Sequence, residues 1–174
     1  KVNVRYLNSE EENQEAIRDC HGILIPGGFG ERGWEGKVAA ATMARNEKIP
    51  FLGICLGMQA AVVSIARDVL KWKASSTEFD EHVENPVISL ISEWKSGMDL
   101  GGTMRLGAKQ TSVKKGSLLY NIHQADHIFE RHRHRYEFNN DYRGDFEKAG
   151  LCFSGVSSDG LVDVIEWDNH PWFI

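Results

Sequence analysis

Apolar and polar positions along the chain fall into short segments of different period. Val2, Val4 and Tyr6 alternate with Asn3 and Arg5, which predicts a strand. Ser9 followed by Glu12 is a capping-box pattern and predicts a short acidic helix to about Asp19. Gly22-Ile23-Leu24-Ile25 reads as a buried strand, and the Ala-rich run from Lys37 to about Asn46 as a helix. A second apolar run, Ile49 to Ile54, stops at Cys55 and gives way to a helical pattern from Leu56 to about Leu70. Strand, helix, strand, helix with short connections implies right-handed βαβ units and a parallel sheet. Further on, Lys71 to Pro86 reads as polar loop and Val87 to Ile91 as a strand. The glycine-bracketed Gly101 to Gly107 predicts a turn leading into a strand. Ile128 to Phe138 reads as one strand, with Arg131, Arg133 and Arg135 on one face and His132, His134 and Tyr136 on the other. Leu151 to Ser157 and Leu161 to Trp167, joined through Asp159-Gly160, predict a β-hairpin.

The junction at Cys55 carries the first chemical signal. Gly53 and Gly57 flank it at two residues on either side, the G-x-C-x-G form of a nucleophile elbow. Such a bend holds its central side chain exposed at a helix N-terminus, where unpaired N–H groups and the helix dipole favour a thiolate. The expectation is a lowered pKa for Cys55, with the Leu56 N–H facing a developing oxyanion and the Gln59 amide one turn away on the same face. A buried structural cysteine after a strand is the competing reading. Ahead of the elbow, Pro26 to Gly36 places five glycines in ten residues after a strand. The spacing matches neither the dinucleotide fingerprint nor the P-loop. An N–H-donating loop that can act as a lid and a plain βα connection both remain open, and both features lie at the carboxyl ends of strands, where ligands bind such sheets.

Composition narrows the class. A length of 174 residues, with 41% apolar and 26% charged residues, suits one domain with a substantial core, spanning residues 1–174. A net charge of −5 argues against general nucleic-acid binding. Three cysteines, Cys20, Cys55 and Cys152, point to a reducing, cytoplasmic setting rather than a disulfide framework. No apolar run reaches transmembrane length, and no signal peptide is seen. The chain opens inside a strand-like pattern and closes on apolar Trp172-Phe173-Ile174, as a piece of something longer would. His132 and His134 share a strand face without a third ligand of suitable spacing, so no metal site is expected. In the Arg131 to Arg135 run, the expectation is one arginine aimed at an anionic ligand and the rest structural. Cys20 and Cys152 are expected to be inert, and the tryptophans to be packing residues.

Several segments together carry a resemblance. Pro26-Gly27-Gly28-Phe29-Gly30, with Arg32-Gly33, joins Gly53 to Gln59, Ser76-Thr77-Glu78-Phe79, Gly101-Gly102-Thr103-Met104-Arg105-Leu106-Gly107 and Glu130 to Glu137. The elbow alone points to triad-type glutamine amidotransferases. The whole set resembles the glutaminase domain of the CTP synthase family, over nearly the full chain. The resemblance implies a flavodoxin-like three-layer α/β sandwich around a mainly parallel sheet, with an antiparallel hairpin extension in the C-terminal half. It implies that Cys55 attacks the glutamine carboxamide to form a thioester, with Gly27 and Leu56 N–H groups as the oxyanion hole. Gly28, Leu56, Gly57, Met58, Gln59, Glu78 and Arg135 would hold L-glutamine, Glu78 at its ammonium and Arg135 at its α-carboxylate. Ammonia would pass to a synthetase domain of the same polypeptide that uses ATP and Mg to convert UTP to CTP, in a tetrameric enzyme of pyrimidine nucleotide biosynthesis. No cofactor is expected on this domain, and GTP activation is associated with the loop after Gly30 and with Thr103 to Arg105.

The departures from the family pattern are specific. The family's catalytic His and Glu belong to a His-Pro-Glu motif expected just past Ile174, and His170-Pro171-Trp172-Phe173 resembles the segment before it. A strand and helix are expected ahead of Lys1, and the Trp94–Leu100 connection is shorter than the family's. Two alternatives remain: another amidotransferase or γ-glutamyl hydrolase of the same fold, and a catalytically incomplete partner-binding or assembly domain.

Overall fold

A computed structural model describes residues 1–11, 14–90 and 104–174. The expected α/β order is present. Helix α1 (Gln14–Arg18) precedes β1 (Ile23–Ile25), α2 (Trp34–Asn46), β2 (Phe51–Gly53) and α3 (Leu56–Asp68). β1 and β2 pair in parallel, Ile23 against Phe51 and Ile25 against Gly53. On the far side of β2, Trp172 to Ile174 also runs parallel. Phe51 N–H donates to Trp172 O at 2.8 Å and Gly53 N–H to Ile174 O at 2.9 Å. Phe51 and Phe173 stack with centroids 4.5 Å apart, which buries both rings.

α3 organises the core. Apolar or small side chains surround it, and it is buried from Ala60 to Ala66 on every face, as expected of a helix with no polar stripe. It packs against α2, β1 and β2, and against three strands from later in the chain: β3 (Ala74–Ser76), β4 (Asn85–Leu90) and β7 (Tyr136–Phe138). β3 and β4 are parallel, and β7 adds antiparallel to β4. A third, four-stranded antiparallel sheet has the order β6-β5-β8-β9, with β5 Arg105–Val113, β6 His127–His134, β8 Leu151–Ser157 and β9 Val162–Trp167. The expected hairpin extension is its β8–β9 half. Helix α4 (Leu118–His123) is fixed to it by the buried Glu166 carboxylate, which accepts from the Leu118 and Leu119 N–H groups at 2.8 Å each. Helix α5 (Arg143–Ala149) drives Phe146 into the core against Phe138.

Three expectations are corrected. Val2 to Tyr6 is not a strand: the segment is irregular, and Val2, Val4 and Tyr6 are exposed. Alternation alone does not make a strand, because the ladder also needs a partner. The Lys71–Pro86 stretch is not all loop, since Ala74 to Ser76 is buried and pairs with β4; short serine-rich strands lack the β-branched signature. Ile128 to Phe138 is two strands in two sheets, β6 and β7, with Arg135 at the switch. Helices α4 and α5 were not expected. Glu12 of the capping box, the Trp94–Leu100 connection and Gly101 to Thr103 lie outside the described residues.

Gly53 and Gly57 lock the β2–α3 junction by proximity. A Cβ on Gly57 would sit 2.2 Å from the Ile25 carbonyl oxygen, and one on Gly53 would sit 2.7 Å from the Gly57 carbonyl carbon. Both obstacles are backbone and cannot swing away. Gly144 in α5, by contrast, faces open space. Gly57→Ala and Gly53→Ala should each destabilise the protein by about 3 kcal/mol or more, beyond ordinary overpacking, which costs about 1–3 kcal/mol. Gly144→Ala should be neutral or stabilising by up to about 1 kcal/mol. Urea unfolding of the three variants checks this order.

Candidate active site

Cys55 is the turning residue itself. Its backbone sits at φ 53°, ψ −104°, a conformation that non-glycine residues rarely adopt. The turn is tied on both sides: Ile54 N–H donates to Ile25 O at 2.9 Å, and Gly57 N–H to Ile54 O at 2.9 Å. The Leu56 and Gly28 N–H groups point at the sulfur, one from the start of α3 and one from the glycine loop after β1. Gly27 lies against the cysteine Cβ, where its own Cβ would come within 3.4 Å.

Most of the predicted site residues meet here. Gly28, Cys55, Leu56, Gln59, Glu78 and Arg135 line one small recess, closed by Phe29, His134 and Tyr136. Met58 lines the adjoining cavity of about 780 Å³, which Cys55 and Gln59 also face. Gly57 does not line either one; its place under Ile25 is structural. Gln59 is buried and does two things. Its Nε2 donates to Tyr136 O at 3.1 Å, clamping β7 to α3, while its Oε1 is buried without a protein partner. Glu78 accepts from Gly30 N–H at 3.3 Å, and the Arg135 guanidinium is close enough to favour its charge. Burial outweighs both and pushes the Glu78 carboxyl up. A cation facing Glu78 and an anion facing Arg135 would therefore complement the recess, with the sulfur at its base.

The thiol differs from expectation. Burial, then the nearby Glu137 and Glu78 carboxylates, push the Cys55 pKa above the ordinary thiol range; the Leu56 and Gly28 N–H groups pull it down but do not prevail. The helix N-terminus was expected to dominate. It is opposed by desolvation, which penalises the charged form.

Sequence reasoning missed the buried cluster beside the recess. Arg105, on β5, is almost fully buried and donates through Nη1 to Asp163 Oδ1 of β9 at 2.6 Å and to Glu137 Oε1 of β7 at 3.5 Å. Thr111 Oγ1 holds the other Asp163 oxygen at 2.5 Å. His132 Nδ1 lies 3.3 Å from the guanidinium and 2.9 Å from His134 Nε2, and His134 Nδ1 lies 3.3 Å from Glu137 Oε1. One guanidinium cannot fully compensate Asp163, Asp159 and Glu137 together. Burial therefore pushes Glu137 up to about 8, and burial with the neighbouring His132 and Arg105 brings His134 down to about 4. The histidine alternation, read from sequence as structural and without a third metal ligand, was the available signal; its partners Arg105, Glu137 and Asp163 come from other strands. Among the described residues, no group of three or more His, Cys, Asp or Glu could hold a metal ion. His170 is turned to a structural task, its Nε2 3.0 Å from Ala44 O and its Nδ1 accepting from Trp172 N–H. All three cysteines are free, and burial pushes Cys152 up as well.

Comparison with known proteins places this arrangement. The family model for class-I glutamine amidotransferases matches residues 1–174. The chain is 52% identical over 179 residues to a CTP synthase of Fibrobacter succinogenes, covering 99% of the chain and 32% of that protein. It is 51% identical over 180 residues to a CTP synthase of Desulfitobacterium hafniense, covering 100% of the chain and 34% of that protein. The chain thus spans about a third of the length of the curated relatives it matches. The glutaminase domain of Trypanosoma brucei CTPS, solved with bound acivicin, superposes with a TM-score of 0.92 at 36% identity, covering 99% of this chain and 70% of that one.

A raised thiol pKa has a direct readout. Alkylation of Cys55 by a small neutral reagent, followed by peptide mapping, should be slow at neutral pH and still climbing with pH beyond the ordinary thiol range. Glu137→Gln should shift the curve to lower pH, because it removes a carboxylate whose charge opposes the thiolate. A rate already at its plateau at pH 7 would contradict the assignment.

Proposed function

This chain belongs to the class-I glutamine amidotransferase family, and on that premise we propose that it supplies ammonia from L-glutamine to a CTP-forming synthetase domain. The observation that carries the reading is the recess at the elbow. There Glu78 and Arg135 face a slot whose floor is Cys55, with the Leu56 and Gly28 N–H groups at its sulfur.

The charge pattern orients glutamine in one sense only, across the recess and the adjoining cavity. Its ammonium is placed at Glu78, its α-carboxylate at the guanidinium of Arg135, and its carboxamide over Cys55. The Cys55 sulfur attacks the carboxamide carbon, the carbonyl oxygen becomes an oxyanion, and the C–N bond breaks to leave a thioester and ammonia. Water then hydrolyses the thioester to glutamate. Leu56 and Gly27 are the proposed oxyanion donors, and Gly28, whose N–H already faces the sulfur, belongs with them. Gly57 and Met58 complete the proposed binding set, Gly57 through the backbone that it lets approach β1.

A thiol held above its usual range needs a base. The resemblance implies a histidine backed by a glutamate as that base, in a His-Pro-Glu segment. Ile174 pairs beside Gly53, two residues before the nucleophile, so the Trp172–Ile174 segment ends at the same sheet edge as Cys55. The synthetase domain, its ATP and Mg, the tetramer, the cytoplasmic setting and GTP activation form the rest of the proposal. Of the two regions associated with GTP, the loop after Gly30 is exposed, whereas the Arg105 guanidinium is buried against Asp163. Among the described residues no helix is long and apolar enough to cross a membrane.

Cys55→Ala in the full-length protein tests the reading. Glutamine-dependent CTP formation should fall by about 10³-fold or more, as removal of a covalent nucleophile does. CTP formation from added ammonium salt should persist. Loss of both activities in a folded variant would contradict it.

A further inference from the structure

We propose that Glu78 has a second task in the reaction: through its hydrogen bond to Gly30 it positions the glycine-loop backbone that presents an N–H to the Cys55 sulfur. The inference rests on the glutamine reading above and deepens it, since the same carboxylate is assigned to the substrate ammonium. Only one residue separates Gly28 from Gly30. The Gly28 N–H points at the sulfur, and the Gly30 N–H donates to Glu78 Oε1 at 3.3 Å. A short backbone segment is thus held at its two ends, by the nucleophile and by the carboxylate. Gly30 sits at φ 81°, and a Cβ there would meet nothing within 4 Å. Glycine serves at this position for its left-handed backbone and not for space.

The carboxylate is well placed to act as a fixed point. Glu78 belongs to the turn after β3, which the buried Ser76 organises. Ser76 Oγ accepts from Glu78 N–H at 3.2 Å, and Ser76 O accepts from Phe79 N–H and Asp80 N–H at 3.1 Å each. Thr77 N–H donates to Ile88 O at 3.0 Å and ties the turn to β4. The next residue, Phe79, packs its ring 4.7 Å from that of Trp34, the first residue of α2. Glu78 and Phe79 therefore grip the loop near its start and at its end. The Gly30–Glu78 bond lies at the long end of the N–H···O range. Burial disfavours the charge on Glu78, and a substrate ammonium would favour it again. Hydrogen bonds to an ionised acceptor are shorter and roughly twice as strong. Binding of the ammonium thus tightens the hold on Gly30, and with it the alignment of the Gly28 N–H at the sulfur. Recognition of the amino-acid end and preparation of the oxyanion donors become one event.

Two variants of the full-length protein separate the two tasks. Glu78→Gln loses the charge but keeps an oxygen for the Gly30 N–H; Glu78→Ala loses both. Glu78 is partly exposed in its turn, so both should fold. KM for glutamine should rise about tenfold or more in each, as loss of a charged hydrogen-bond partner does. kcat for glutamate release should stay within about threefold of the parent in Glu78→Gln. In Glu78→Ala it should fall about tenfold or more, because a misplaced donor forfeits part of the roughly 10²–10³ that one oxyanion donor supplies. Alkylation of Cys55 gives a readout that needs no turnover. Both variants lose the Glu78 charge, so a difference between their pH curves reports the Gly28 N–H. The Glu78→Ala curve should lie at higher pH than the Glu78→Gln curve. Equal kcat values in the two variants, or superimposable alkylation curves, overturn the proposal and leave Glu78 as an ammonium contact alone. The parent protein separates the two readings. If it releases no glutamate from glutamine, the functional assignment fails, whereas a working parent with matching variants sinks only this inference.

Discussion

The contact between the Gly57 backbone and the Ile25 carbonyl is the constraint from which the rest follows. No side chain fits between α3 and β1 at that point, so the helix begins directly against the neighbouring strand. Cys55 must then turn the chain within one residue, at φ 53°. Strained backbone of this sort costs about 1–3 kcal/mol. Full burial of a single Val or Ile side chain is worth about 1.5–3 kcal/mol, and α3 buries Val62, Val63 and Ile65 completely. The packing of the helix is thus sufficient to hold the bend. Neither flanking glycine has a positive φ; they are required for space rather than for conformational freedom.

That geometry fixes the electrostatics of the site. The bend puts the sulfur where two N–H groups reach it, but also beneath the surface and near Glu137 and Glu78. Burial and carboxylates together outweigh the amides. The result is a reactive atom kept protonated until a base removes its proton. The same low-dielectric region leaves three carboxylates competing for Arg105: Asp163 takes the short bond at 2.6 Å, Asp159 is half exposed, and Glu137, buried at 3.5 Å, is the carboxyl that burial pushes up to about 8.

Local signals made the first half of the chain legible. Strands β1 and β2, helices α2 and α3 and the elbow between them were all written in apolar runs, glycine spacing and helical periodicity, because each is decided by neighbours within a few residues. The β8–β9 hairpin was marked by its Asp159-Gly160 turn for the same reason. What failed depended on distant partners. Among the described residues, Val2, Val4 and Tyr6 alternate correctly but find no strand to pair with, whereas Ala74 to Ser76 carries no strand signature and is recruited by β4. The break at Arg135 is invisible along the sequence, since both flanking segments alternate in phase and only their partners differ. The Cys55 thiol was misjudged because its helix could be read locally, while Glu137 reaches it from a strand more than eighty positions later in the chain. Residues that meet in the recess, Glu78 and Arg135 above all, became nameable through the family resemblance rather than through pattern.

The most direct measurement is a crystal structure of the full-length protein after reaction with a glutamine-mimicking electrophile. The account predicts continuous density from the Cys55 sulfur to the reagent, with the reagent's carboxylate at the Arg135 guanidinium and its ammonium at Glu78. An adduct on Cys20 or Cys152 in place of Cys55, or one whose amino-acid end lies away from both Arg135 and Glu78, would contradict it.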